Sequence, residues 1–296
     1  MHKKIFPILF FFLIFSINAQ TVYTGFIGNY PVEMVIYPYG KLADATYSYT
    51  NFDEPISLDN GKINNGHLIF QEKKNSKKDI TTAVLTLNNF SKSKDNLEGT
   101  WKNTKSNTEL KVSLTKQYAF DVGENIEWSG RELLQPVSLG NNYFKIVLTK
   151  KKDEYYPKVS AVKIIEKKTD KVLQILNVEC QPWGLNSIAV NDYNFDGIMD
   201  FSVFESSYAG PNTSSIYFLY DKRSRQYFES GFSGISLEFD QAKKRIYERN
   251  ECCAGTVVTT AEYKVLDNNM IILGQHCYRW SEKKHGLVER KLKECR

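Results

Sequence analysis

The sequence predicts an all-β protein in two parts, a small antiparallel sandwich or barrel followed by a larger β domain. Three observations carry that expectation. Apolar and polar residues alternate with period two from Thr21 onward, turn-forming pairs recur at short intervals, and no segment holds a helical apolar stripe for three turns. Short runs of β-branched and aromatic residues at such close spacing are the material of antiparallel sandwiches and barrels.

The elements follow in chain order. Thr21–Ile27 and Val32–Tyr37 alternate cleanly, and Gly28-Asn29-Tyr30-Pro31 between them reads as a tight turn. Further strands are expected at Ala43–Tyr49, Ile63–Gln71, Thr81–Leu87, Leu97–Trp101 and Leu110–Leu114. Asn60-Gly61, Asn65-Gly66 and Asp95-Asn96 punctuate them as hairpin turns do. These strands make a first domain over 20–116. The stretch 117–142 contains Gly123, Gly130, Pro136 and Gly140, and reads as an irregular linker.

Strands resume over 143–296, at Tyr143–Thr149, Lys158–Glu166, Lys171–Leu176, Asn186–Asn191 and Phe201–Glu205. Ser215–Tyr220, Ile235–Phe239, Lys244–Arg249, Thr256–Leu266 and Met270–Trp280 follow, with Lys167–Asp170 and Asp267–Asn269 as hairpin turns. This second domain is expected to be a sandwich or propeller-like. No repeat of fixed period appears, so a propeller of identical units is not expected.

The first residues predict export. His2, Lys3 and Lys4 make a basic start, Ile5–Phe15 is apolar, and Ser16-Ile17-Asn18-Ala19 offers a small residue before Gln20. That order describes a secretory leader over 1–19, with an uncleaved anchor as the alternative. The apolar run is shorter than the roughly 20 residues that span a membrane. No cysteine follows it for lipid attachment, so the mature chain is expected in the periplasm or outside the cell. No later segment reads as a membrane span. The formal net charge of +5 is too mild to argue for nucleic acid. The basic runs Lys73–Lys78, Lys283-Lys284 and Arg290-Lys291 lack interleaved aromatics and read as solvated loop charge.

Five cysteines, Cys180, Cys252, Cys253, Cys277 and Cys295, lie in the second half. Export favours disulfides, and the odd number leaves one unpaired or pairing between chains. Adjacent Cys252 and Cys253 are each expected to reach a different distant strand, because a bond across one peptide is geometrically awkward. A zinc site from Cys252, Cys253, His276 and Cys277 is the sharper alternative, but the usual ligand spacing is missing.

One segment carries distinct chemistry. In Asp192-Tyr193-Asn194-Phe195-Asp196-Gly197-Ile198-Met199-Asp200, oxygen donors stand at positions one, three and five. Glycine follows at six, the Ile198 carbonyl at seven and a carboxylate at nine. Such a set suits Ca²⁺ better than zinc or magnesium. Val203 stands where an EF-hand places its bidentate glutamate, and the flanks read as strands. The segment is therefore similar to the strand-loop-strand calcium sites of integrin α-subunit propellers. A metal-free Asp/Asn-rich turn is the alternative. A bound ion is expected to hold the loop in shape, since the carboxylates would otherwise repel one another.

The surroundings of the loop add a family resemblance. Cys180–Asn186 leads into Val190–Gly197, then Asp200-Phe201, Ser207–Asn212, Tyr217–Asp221 and Gln226–Phe228. This order, from about Tyr143 to Trp280, resembles a family of exported bacterial proteins with a compact, propeller-like β fold and one bound calcium. Its best-understood type is an immunity protein that blocks a peptidoglycan-cleaving effector of a type IV secretion system, and its fold is akin to periplasmic lysozyme inhibitors. The resemblance implies calcium ligands at Asp192, Asn194, Asp196 and Asp200. It carries over no inhibitory loop. The N-terminal part, with Gly25–Val32, Ala45–Tyr49 and Leu97–Trp101, looks like a small β module of exported proteins and departs from the simplest members.

Familiar catalytic constellations are missing. There is no His-Glu-x-x-His helix, phosphate-cradling glycine loop or Gly-x-Ser-x-Gly elbow, and Gly231–Gly234 is a near miss that reads as a β-turn. His276 and Cys277 are strand neighbours and point to opposite faces. Glu205, Glu229, Glu238 and Glu251 are candidate glycosidase carboxylates that spacing cannot pair. The chain is thus expected not to be an enzyme. It reads as a calcium-stabilised binding protein for a protein partner of the peptidoglycan-hydrolase class, with glycan binding as the alternative. Tyr155, Tyr156, Tyr193, Phe195 and Tyr208 are candidate contact aromatics in or beside loops, with core packing as their other reading. Tyr208 and Asn212 are the expected partner contacts.

Overall fold

Alternating residues from the first part of the chain build eight antiparallel strands that close into a barrel. They are β1 (Thr21–Ile27), β2 (Tyr30–Tyr39), β3 (Leu42–Tyr49), β4 (Ile56–Asn64), β5 (His67–Asn75), β6 (Lys78–Asn88), β7 (Asn96–Asn103) and β8 (Glu109–Ala119). Each pairs with its sequence neighbour, and β8 returns to β1. The computed structural model describes residues 20–295 apart from 51, 53, 76 and 77. The expected leader at 1–19 lies outside them, as does the centre of the Lys73–Lys78 run.

Closure removes free sheet edges and turns one residue in two toward the lumen. Tyr23, Met34, Tyr47, Leu58, Phe70 and Leu85 are buried there. The hairpin at Asn65-Gly66 is where the sequence places it, and it divides Ile63–Gln71 between β4 and β5. Asn60-Gly61, expected as a hairpin turn, is instead a bulge inside β4. Asn60 has φ 55°, the register slips opposite Ala43–Ala45, and Asp44 Oδ1 accepts the Asn60 N–H at 2.8 Å. Gly61 follows because a Cβ there would stand 2.3 Å from Phe70 Cε1.

The second part forms three antiparallel sheets in chain order. The first contains β9 (Trp128–Leu139), β10 (Asn142–Lys150), β11 (Lys158–Glu166) and β12 (Val172–Cys180). The second contains β13 (Ile188–Asn191), β14 (Asp200–Ser207), β15 (Thr213–Asp221) and β16 (Gln226–Glu229). The third contains β17 (Glu238–Asp240), β18 (Arg245–Cys252), β19 (Val257–Leu266), β20 (Asn269–Ser281) and β21 (Gly286–Arg290). Among the described residues there is no α-helix, and no helix long and apolar enough to cross a membrane.

The stretch 117–142, expected to be irregular, holds the end of β8 and all of β9. Gly130 and Pro136 read as breakers, yet β9 is an edge strand, where proline costs no ladder hydrogen bond. The register slips opposite both residues, between Tyr143/Lys145 and between Leu148/Lys150, and so absorbs them. Barrel and first sheet then share a core: Val22 and Val35, on the outer face of the barrel, pack with Leu133, Leu134 and Phe144. Lys145 Nζ meets Glu33 Oε2 at 2.7 Å across the same junction.

The cysteines correct another expectation. Cys277 on β20 is joined to Cys295, Cys252 to Cys253, and Cys180 is a buried thiol. Cys252 and Cys253 do not reach distant strands because the turn after β18 curls left-handed at Cys253 (φ 57°), Ala254 (φ 55°) and Gly255 (φ 77°). That curl brings the two sulfurs together. The zinc arrangement is not built: Cys277 is already bonded, and His276 Nδ1 lies 2.7 Å from Glu289 Oε1.

Candidate functional site

The loop 192–200 connects β13 to β14, and the Asn191↔Asp200 pair closes its base. Its turns require left-handed backbone at Phe195 (φ 63°) and Gly197 (φ 85°), which is why a glycine suits position 197. The polar side chains curl inward onto the loop's own amides. Asp192 accepts the Asp196 N–H at 3.0 Å and the Gly197 N–H at 2.8 Å through its two oxygens. Asn194 Oδ1 accepts Asp196 N–H at 3.2 Å, and Asp196 Oδ1 accepts Ile198 N–H at 2.8 Å.

Asp200 is the buried anchor, only 1% exposed. Its Oδ2 accepts the Tyr193 N–H at 3.0 Å and its Oδ1 the Tyr220 N–H at 2.9 Å, which ties the loop to β15. Burial pushes its carboxyl up to about 6; the two amides pull the other way, while Asp196 and Asp192 add to the rise. None of the ion pairs among the described residues involves Asp192, Asp196 or Asp200.

The loop is also braced from the third sheet. Gln241 donates to the Asp192 carbonyl at 2.8 Å, Lys244 to the Phe195 carbonyl at 3.2 Å, and Asn194 to Asn268 Oδ1 at 2.9 Å. These braces lie far along the chain and carry no local signal; Asn268 reads only as part of a hairpin turn.

Tyr193 and Phe195, candidate contact aromatics, are core residues here. They pack with Tyr217, Phe232 and Ile246 between the second and third sheets. The Tyr193 hydroxyl lies 2.8 Å from Ser202 Oγ. Tyr155, Tyr156 and Tyr208 do remain exposed, and the first two meet edge to face at 4.8 Å. Asn212 is buried: its amide donates to the Ala209 and Glu251 carbonyls at 3.0 and 2.7 Å, and its oxygen accepts the Glu251 N–H at 3.0 Å. Of the two expected partner contacts, Tyr208 is therefore exposed and Asn212 is a latch between the β14–β15 loop and β18.

Among the described residues, no group of three or more His, Cys, Asp or Glu side chains stands within ligating distance of one point. In the 192–200 loop the Asp192, Asn194 and Asp196 oxygens are turned onto the loop's own amides, and every side-chain acceptor there is oxygen. Each carboxylate oxygen that holds one amide keeps a second lone pair. Such donors fit a hard divalent cation.

Compared with known families, no family model matches this chain, and no curated protein matches it. Solved structures give weak likenesses. A protein from Lactobacillus plantarum aligns at 10% identity over 92% of this chain and 95% of its own, with TM-score 0.25. A putative 6-phosphogluconolactonase from Bacteroides uniformis aligns at 10% identity over the same shares, with TM-score 0.24. The expectation that the chain is not an enzyme does not stand beside that second description and is withdrawn. Likenesses of this size transfer neither fold nor activity.

Proposed function

We propose that this is an exported binding protein whose second part is held in shape by one Ca²⁺ in the Asp192–Asp200 loop, with a peptidoglycan-cleaving hydrolase as its partner class. The observation that carries the reading is the loop itself. Three carboxylates and an amide oxygen stand at positions one, three, five and nine of one short loop, no ion pair among the described residues involves those carboxylates, and the loop joins β13 and β14 to β15 and the third sheet. Asp192, Asn194, Asp196, the Ile198 carbonyl and Asp200 would hold the ion. It would balance charge that the amides only partly offset. Three antiparallel sheets in succession support a propeller-like arrangement, and the resemblance around Cys180–Phe228 supports the partner class. A rigid β scaffold suits a protein that plugs a cleft with its loops.

The test is a panel of purified lysozymes and peptidoglycan hydrolases assayed with and without the protein in 2 mM Ca²⁺. Inhibition of at least one, weakened about tenfold or more by Tyr208→Ala, is the expected result. A panel left uninhibited contradicts the partner class. The exposed Tyr155–Tyr156 pair favours a second reading, glycan binding, because sugar rings stack on such faces. Retention on immobilised muropeptides without any protein partner, abolished by Tyr156→Ala, would select it.

A further inference from the structure

The two disulfides differ in what governs exchange with an outside thiol. Cys277 is fully buried, and its bond to Cys295 closes a sequence separation of 18. Cys180 is buried too; that burial, with the charges of Glu205 and Glu229, pushes its thiol up to about 12, so it is no nucleophile near neutral pH. Cys252 and Cys253 are both exposed. They stand on one wall of a cleft of about 450 Å³ whose other wall is the β14–β15 loop, Tyr208 to Asn212. The Asn212 latch to Glu251 holds the two walls in place.

A disulfide stabilises chiefly by restricting the unfolded chain, and the effect grows with the loop it closes. The Cys252–Cys253 bond closes a ring containing only its own two residues, so it restricts almost nothing. The turn that carries it places two successive non-glycine residues at positive φ, an arrangement that surrounding structure must hold and that clusters at functional positions. An accessible bond with little stabilising effect, at the edge of an open cleft, is suited to reaction.

We propose that Cys252–Cys253 is a thiol-exchange site that accepts two electrons from a dithiol while Cys277–Cys295 stays closed. One thiolate of the dithiol attacks Sγ of either cysteine, forming a mixed disulfide and releasing the other cysteine as a thiolate. The second thiol of the reagent then attacks its own sulfur in the mixed disulfide. The reagent leaves as a disulfide, and both cysteines remain as thiols after taking up two protons. The cleft admits the incoming thiol, and the fold does not depend on the bond.

Native protein is treated with graded dithiothreitol, quenched with N-ethylmaleimide and mapped by peptide mass. Cys252 and Cys253 are expected to take label together at a reductant concentration at least about tenfold below that which labels Cys277 and Cys295. The circular dichroism spectrum should stay native throughout. Simultaneous opening of the two bonds, earlier opening of Cys277–Cys295, or label on Cys252 and Cys253 before any reductant overturns the proposal. The double variant Cys252→Ser/Cys253→Ser should melt within about 2 °C of the wild type. A larger loss makes the bond structural and overturns the proposal as well.

Discussion

Replacing Asp200 by Asn tests the account of the loop at its most buried point. The side chain is 1% exposed, and each carboxylate oxygen accepts one backbone amide, from Tyr193 at 3.0 Å and Tyr220 at 2.9 Å. Asn is nearly isosteric but offers only one acceptor. One charge-assisted hydrogen bond is lost, and the new NH₂ group faces a backbone N–H, leaving two buried donors opposed. A hydrogen bond to a charged group contributes roughly 1.5–3 kcal/mol and an unsatisfied buried donor costs roughly 1–3; removing a buried charge whose carboxyl is pushed up to about 6 offsets part of this, so a net loss of about 2–4 kcal/mol is expected in chelator. Urea unfolding followed by tryptophan fluorescence measures it, with Trp128 and Trp183 as reporters in the second part. Calcium adds an independent reading. With an affinity of ~10⁻⁴–10⁻³ M, 2 mM Ca²⁺ should stabilise the wild type by about 0.6–1.8 kcal/mol and the variant by much less. A variant within about 0.5 kcal/mol of the wild type in chelator would refute the amide clamp.

Three further outcomes are expected. Asn212→Ala removes a buried amide that bonds Glu251 twice and Ala209 once; it should cost about 2–3 kcal/mol and speed hydrogen exchange at the Tyr208 and Glu251 amides. Gly61→Ala drives a methyl into the Phe70 ring and should destabilise the barrel by about 1–3 kcal/mol, with partial recovery on adding Phe70→Leu; an unchanged urea midpoint would contradict the packing described. Cys180, buried and pushed up to about 12, should resist iodoacetamide at pH 8 in the native protein and react fully in urea.

Much of the fold is legible because strand periodicity survives wherever one face is buried and the other is wet. β7, expected over Leu97–Trp101 and found over Asn96–Asn103, buries Leu97 and Gly99 and exposes Asn96 and Glu98. What escaped reading was irregular or short. β9 carries Gly130 and Pro136 across register slips, and the Asn60-Gly61 pair makes a bulge where the same two residue types elsewhere make a hairpin. β16 and β21 are short and mostly exposed, so they bury too little to leave a pattern.

The candidate loop was legible because its donor spacing is local. Its supports were not, since Tyr220, Gln241, Lys244 and Asn268 arrive from other strands and turns. Tyr193 and Phe195 lie in a loop, yet they are buried because that loop folds back over the second and third sheets. Cysteine pairing was beyond the sequence for a related reason. Whether Cys252 and Cys253 meet depends on the handedness of one turn, which residue type alone does not set.

Isothermal titration of Ca²⁺ into chelator-stripped protein, paired with melting curves, decides whether the Asp192–Asp200 loop holds an ion. About one ion per chain should bind at an affinity of ~10⁻⁴–10⁻³ M. The melting temperature should rise by a few degrees, about 2–6 °C in 2 mM Ca²⁺, with both effects lost in Asp192→Ala. No binding up to 10 mM (roughly tenfold above the weak end of that range), with superimposable melting curves, would make Asp192–Asp200 a turn held by its own amides and contradict the claim.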